Sequence, residues 1–407
     1  MKLKLFILLL FALSINLYSQ GGSNYSLFGI GDLQNNLGAA FDGLGGCATA
    51  VPFSHSISTR NPAQWSFINS TRLQAGYRFS QQLISNANNT IYQNNGKVDG
   101  MLINFAVDTS LGSAIDIGFG PYSSYNYLVK SPVSITDDLG TVTGTMLYQG
   151  TGGLAQAYVG TSIKPIKSLA VGASVISIFG NSTRSNTTYL DIADATPTRT
   201  DVIDTYSGMA FRLGFIFEPI TDLYLGAFSE IHSKLNVNQN FFYYSSYLTD
   251  STHALDVTRQ LPNQYGFGIS YKTGKFLFAS DYVMQDFSSL DYNKSPNATF
   301  RQYSNFSLGI SRLGNTNISA PITDRTTYNF GVGFKQNYLI VNNTPINETY
   351  GSFGVSLPIV GNAFLDAAFT FGVRGSKDNG LVSEKFGRMT ISISLGDYWF
   401  SPFKRDF

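Results

Sequence analysis

Residues 71–79 read "TRLQAGYRF". Leu73, Ala75, Tyr77 and Phe79 alternate with Arg72, Gln74, Gly76 and Arg78, and a period of two puts the sets on opposite faces of a strand. One face is oily; the other carries two guanidinium groups. The pattern returns in 98–107, where Met101, Ile103, Phe105 and Val107 share a face, and in 169–179 with Leu169, Val171, Ala173 and Val175. Runs at 113–122, 154–163, 206–218, 223–233, 264–272, 276–286, 303–312, 327–340, 349–358, 364–374 and 386–397 bring the expected strands to fourteen.

The connections fall into two groups. "DTSLG" (108–112), "KPIKS" (164–168), "PITD" (219–222), "KTGK" (272–275) and "VGNA" (360–363) are short turns, whereas 80–97, 123–153, 180–205 and 241–263 are long, polar and read as loops. Short turns at one end and long connections at the other, with an even strand count, indicate an all-β, antiparallel outer-membrane barrel. Hydrocarbon offers no hydrogen-bond partners, so a sheet in lipid must close on itself. A soluble sandwich of fourteen such strands would need an unusually large single core. Tyr77, Tyr127, Tyr271, Tyr282 and Trp399 are candidates for interfacial aromatic girdles.

Composition agrees. The 407 residues carry a net charge of +1, with 13% charged and 14% aromatic residues, so the basic surface that nucleic-acid binding needs is missing. Lys2 and Lys4 followed by "LFILLLFALSINL" (5–17) form a signal peptide over 1–19, with cleavage near Gln20. Its apolar run is shorter than the roughly 20 residues of a membrane-spanning helix. The expected location is therefore the bacterial outer membrane. "LGGC" (44–47) has the shape of a lipid-attachment box but lies too far beyond the apolar run, and Cys47, the one cysteine, has no internal disulfide partner.

Residues 20–69 precede the barrel of 70–407. "LGAAFDGLGGCATA" (37–50) is small and nearly uncharged, and Pro62 withholds a donor from any ladder, so this stretch reads as a hatch plugging the lumen. The Gly/Ala run followed by "SISTRNPAQWSFI" (56–68) resembles the N-terminal hatch of the FadL-type outer-membrane long-chain fatty-acid transporters; on that resemblance Asn61, Pro62 and Ala63 are the hatch signature. "LPNQYGFGISYKTGKFLFASDYVMQDFSSLDY" (261–292) is similar to a second family stretch, with Leu261, Pro262, Gly266, Gly268, Tyr271, Asp281 and Tyr282 matching and Phe287 where the family often has Trp. "YGSFGVSLPI" (350–359) and "FLDAAFTFGVRG" (364–375) also resemble it. The C-terminal run Met389, Ile391, Ile393, Leu395, Tyr398, Trp399, Phe400, Phe403 and Phe407 resembles a barrel-insertion signal, departing from it in the Lys404-Arg405 tail.

The resemblance implies capture of a hydrophobic compound at external loops and sideways release into the bilayer through a gap at a kinked strand. Release into lipid is downhill by roughly 25 cal/mol per Å² of apolar surface. Phe241, Phe242, Tyr243, Tyr244 and Tyr247 are the candidate ligand loop, and Gly118, Gly120 and Pro121 the candidate kink, because Gly and Pro weaken a ladder. Barrels resembling this family also serve as non-transporting subunits of secretion or assembly machines, as the PorV-type barrel does, so protein partners in the outer membrane stand as the alternative. Enzyme readings find no support: there is no Gly-x-Ser-x-Gly elbow or zinc spacing, and "KTGKF" lacks a phosphate loop's other residues. Of the three histidines, His55, His232 and His253, the last two flank the aromatic run and are expected at the surface. Asp137-Asp138 and Asp378-Asn379-Gly380 read as turns, and no cofactor or metal is expected.

Overall fold

The structure, a computed structural model, describes residues 21–34, 38–137, 140–245 and 249–397. The expected signal peptide, Asp138, Tyr247 and the run from Tyr398 to Phe407 lie outside them. Fourteen antiparallel strands form one closed wall. They are β1 (Thr71–Ser85), β2 (Thr90–Asp108), β3 (Ser113–Pro121), β4 (Gly140–Ile166), β5 (Leu169–Leu190), β6 (Thr198–Ile220) and β7 (Leu223–His232). The second half is β8 (Gln264–Thr273), β9 (Phe276–Asp286), β10 (Gln302–Arg312), β11 (Thr327–Val341), β12 (Thr344–Pro358), β13 (Phe364–Arg374) and β14 (Ser383–Asp397). Each pairs with the next, and β14 returns to β1 with Leu395 opposite Leu73 and Ile391 opposite Tyr77.

The two-residue period sorts side chains as lipid demands. Leu73, Tyr77, Met101, Phe119, Phe211 and Phe371 are exposed on the outside, while Arg72, Gln74, Arg78, Asn104 and Asp116 are buried within. Only a solvent more apolar than water makes this inside-out arrangement stable. Tyr271 and Tyr282 face outward, but Tyr127 is buried and is no girdle residue. It stands where the chain has just turned inward, a detour that the alternation alone does not register.

The long connections are mostly strand and not loop. β4, β5 and β6 run for 27, 22 and 23 residues, far beyond the roughly ten that span a bilayer. Above the bilayer a further strand, Tyr127–Asp137, pairs with β4, and a hairpin of Lys234–Tyr244 and Thr249–Gln260 pairs with β6. The result is a six-stranded sheet standing over one side of the rim. Thr and Tyr suit strands in water as well as turns, so polarity disguised these extensions.

Candidate functional site: the barrel interior and its wall gap

Residues 38–68 are held by inward side chains from many parts of the wall. Asp281 on β9 is the main anchor: its carboxylate accepts from Ala48 N at 2.8 Å, Thr49 N at 2.8 Å and Thr49 Oγ1 at 2.7 Å, and pairs with Arg60 at 3.2 Å. Arg78 on β1 pairs with Asp42 at 2.6 Å, and Gln74 accepts from Ile57 N at 2.8 Å. The Gly/Ala run is needed for close approach. A Cβ on wall residue Gly331 would lie 2.1 Å from Gly45 N, and one on Gly354 would lie 2.7 Å from Gly43 Cα. Backbone therefore rests on backbone, which no larger residue permits.

The Asn-Pro-Ala knot is a clamp in local geometry. Asn61 caps the 3-10 turn Pro62–Phe67 by accepting from Ala63 N, and its Nδ2 donates to Thr49 O at 2.7 Å and to Phe215 O on β6 at 3.1 Å. Pro62 occupies the first turn, where a missing N–H costs nothing. Ala63 packs on Ala170 and Ile216, and Trp65 stacks on Tyr158 at 5.7 Å. At the periplasmic end His55 lies between Phe53 and Phe364, with ring centroids at 5.1 and 4.8 Å. Burial, helped by the Arg72 charge, pushes its pKa down to about 3 and keeps it neutral.

Residues 21–34 close the upper part. Glu384 on β14 accepts from Ser23 Oγ at 2.7 Å and Asn24 N at 2.8 Å, while Arg374 bridges Asp32 at 3.2 Å and Glu348 at 2.6 Å. Glu348 also holds Lys335 at 3.1 Å. These charges sit in a low-dielectric interior and persist because each has a partner. From above, the loop between β9 and β10 folds inward: Asn293 donates to Leu27 O at 2.8 Å and Tyr292 to Asp204 at 2.6 Å, and Phe287 stacks on Tyr338 at 4.5 Å. At mid-height a cavity of about 50 Å³ remains, bordered by Arg60, Gln156, Arg212, Glu230 and Gln285. The ample apolar space, about 1350 Å³, is a groove on the outer wall around Phe330 and Phe371. A vestibule of about 1530 Å³ opens below, at the periplasmic mouth.

Gly118, Gly120 and Pro121 end β3. The chain then leaves the wall, Ser123–Ser124 pairs inward with Asp32–Leu33, and it rejoins at Tyr127. Above this detour Thr90–Val98 of β2 pairs with β1, and Tyr127–Asp137 pairs with β4, with no ladder between the two among the described residues. The wall has a gap there, marked by hollows of about 500 and 390 Å³. Gln93 reaches across it to Leu128 O at 3.2 Å, Lys97 bonds Gln34, and a Cβ on Gly21 would strike Gln93. The N-terminal residues thus back the gap from within.

Phe241, Phe242, Tyr243 and Tyr244 are strand residues near the tip of the extracellular hairpin, where a loop was expected. One expectation needs correction. His232 is buried, with Nε2 2.8 Å from Glu230 and Tyr122 at 3.3 Å; it ends a wall strand on the inward face, and the period of two through Phe228 and Glu230 marks that face. His253 lies on the hairpin strand Thr249–Gln260. The anchoring roles of Asp281, Glu348, Arg374 and Glu384 escaped sequence reasoning. Their signal was available, since a charge inside a spanning strand demands an interior partner.

The fold defines the class: a fourteen-stranded outer-membrane β-barrel. It is similar to the toluene transporter TbuX of Ralstonia pickettii, with TM-score 0.61 and 15% identity over 89% of this chain and 99% of that one. A Pseudomonas aeruginosa FadL homologue gives 0.60 and 12%, over 88% and 97%, and the P. putida toluene transporter TodX 0.58 and 12%, over 89% and 98%. No curated protein matches. The BamG family model matches residues 1–406, and the chain belongs to that family. It resides in the outer membrane, its outer face against lipid. Among the described residues no group of three or more His, Cys, Asp or Glu could hold a metal ion.

Proposed function

We propose that the barrel is a closed structural subunit of a larger outer-membrane assembly, with residues 1–19 removed on export and residues 20–69 acting as a fixed hatch. The observation that carries this reading is the interior. Residues 38–68 are bonded around the wall, residues 21–34 and the Asn293 loop cover the top, and the mid-height cavity beside Arg60, Arg212, Glu230 and Gln285 measures about 50 Å³. An apolar cavity that binds benzene measures about 150 Å³. A hydrophobic molecule would have to displace several buried charge pairs to enter.

The gap beside Gly118, Gly120 and Pro121 favours a second reading. Displacement of residues 21–34 would open a sideways path for a hydrophobic or fatty-acid-like compound into the bilayer, with the aromatic run Phe241–Tyr244 as its first contact. Extraction from native membranes followed by protein and lipid mass spectrometry separates the two. A stoichiometric protein companion with no bound hydrophobic molecule supports the subunit reading; a lone barrel carrying such a molecule supports uptake.

A further inference from the structure

We propose that the apolar groove on the outer wall is a binding site for one anionic, phosphate-bearing lipid of the outer leaflet, with its acyl chains in the groove and its phosphate at the extracellular end. The inference goes beyond the closed interior and stands whether or not the barrel has a companion.

The strand register shows how the groove is made. Ile269, Ser280, Leu308, Val332, Gly351 and Phe371 form one row across β8 to β13, each opposite the next. Tyr271, Phe278, Phe330 and Phe369 stand exposed in the row on its periplasmic side, and Phe267, Tyr282, Phe306 and Phe334 in the row on its extracellular side. Between these aromatic ridges Ser280 is small and Gly351 has no side chain at all. Phe371 leans over that bare backbone, its ring 3.3 Å from where a Cβ would lie. Bulk on both sides with little between leaves the hollow of about 1350 Å³. A row crossing strands tilted by about 40° climbs about 15 Å in five spacings of about 4.8 Å, one leaflet's share of a hydrocarbon core about 30 Å thick.

The extracellular end selects the headgroup. The upper ridge continues through Thr349 and Val373 to Lys385, which stands exposed on β14. Two residues above Thr349, exposed Asn347 accepts from Arg301 Nη2 at 2.7 Å, and the guanidinium donates otherwise to Asn337 O and Ile346 O, each at 2.9 Å. All three acceptors are neutral oxygens. The outward residues beside them, Gln336, Asn347 and Thr349, are neutral too, so two cations flank the top of the groove with no carboxylate between them. Asn347 and Lys385 are two strands apart, roughly 10 Å, a span that two long side chains close onto one headgroup. A phosphate supplies the missing charge and accepts charge-assisted hydrogen bonds from both. A second copy related by a two-fold along the membrane normal would set hollow against hollow and cation against cation.

The test places the full-length protein in nanodiscs of phosphatidylglycerol and phosphatidylcholine, equal in amount and identical in chains, and counts by native mass spectrometry the lipids that stay on the released barrel. The expected result is one retained phosphatidylglycerol, favoured at least tenfold over phosphatidylcholine and not displaced by glycerol phosphate. Ser280→Phe combined with Val332→Phe fills the trough and should lower retention at least tenfold, whereas Val159→Phe, exposed on β4 across the barrel, should leave it unchanged. Lys385→Glu should abolish the preference for phosphatidylglycerol, and this surface change tests the site even if the filled variant does not fold. Equal retention of the two lipids, retention indifferent to filling, or displacement by glycerol phosphate alone overturns the proposal. So does a partner protein or a second copy that the filled variant releases in place of lipid.

Discussion

Replacing Asp281 by Ala removes the most highly bonded contact between the N-terminal segment and the wall. The carboxylate serves Ala48 N, Thr49 N, Thr49 Oγ1 and Arg60, all buried, so the variant strands a guanidinium and three donors together. Deleting one partner of a buried, hydrogen-bonded charge pair costs about 3–5 kcal/mol. At about 1.36 kcal/mol per decade, that is roughly 150- to 5,000-fold in the population of the locally opened segment. The barrel should survive, because the backbone pairing of Asp281 with Gly268 and Ser307 is untouched. Hydrogen exchange by mass spectrometry in nanodiscs reads the effect: amides of residues 43–50 should exchange faster by that factor, while β9 and β10 keep their protection. Unchanged exchange at Ala48 and Thr49 in an intact barrel would refute the reasoning.

Gly331→Ala puts a methyl 2.1 Å from Gly45 N and 2.4 Å from Gly45 Cα, backbone that cannot swing aside; strain of about 1–3 kcal/mol should appear as faster proteolysis within 43–50. Arg374→Met leaves Glu348, Glu384 and Asp32 facing one another and should lower the temperature at which the barrel loses its compact gel mobility. Asn293→Ala frees the upper loop from Leu27 and should raise exchange in 287–300 with little change in the wall. Deleting residues 22–34 unblocks the gap beside Pro121 and should increase entry of small hydrophobic dyes; unchanged entry would mean the gap is sealed by other residues.

The fourteen wall strands were legible because lipid outside and polar contacts inside enforce strict alternation, and Arg72, Gln74 and Arg78 follow it residue by residue. Strand length above the membrane was not. Water at both faces lifts the constraint, so 180–190 and 198–205 carry no apolar face to read. Gly118, Gly120 and Pro121 were readable as residues that weaken a ladder, and the strand ends at Pro121; the inward pairing of Ser123–Ser124 with Asp32–Leu33 joins residues ninety apart and leaves no local trace. Asn61-Pro62-Ala63 was readable as a motif and not as a mechanism: its contact with Phe215 needs the closed barrel to exist. His232 looked superficial because it flanks the aromatic run, yet its parity with Glu230 placed it inside.

The most direct measurement is disulfide trapping in intact membranes. Cys47 Sγ lies 3.4 Å from Ser307 Oγ on β10. With Ser307→Cys, a segment resting permanently in the bore should oxidise almost completely, and the locked barrel should keep its function in the cell. Thiols that remain separately reactive, or a bond that forms and abolishes function, would contradict a fixed and closed interior.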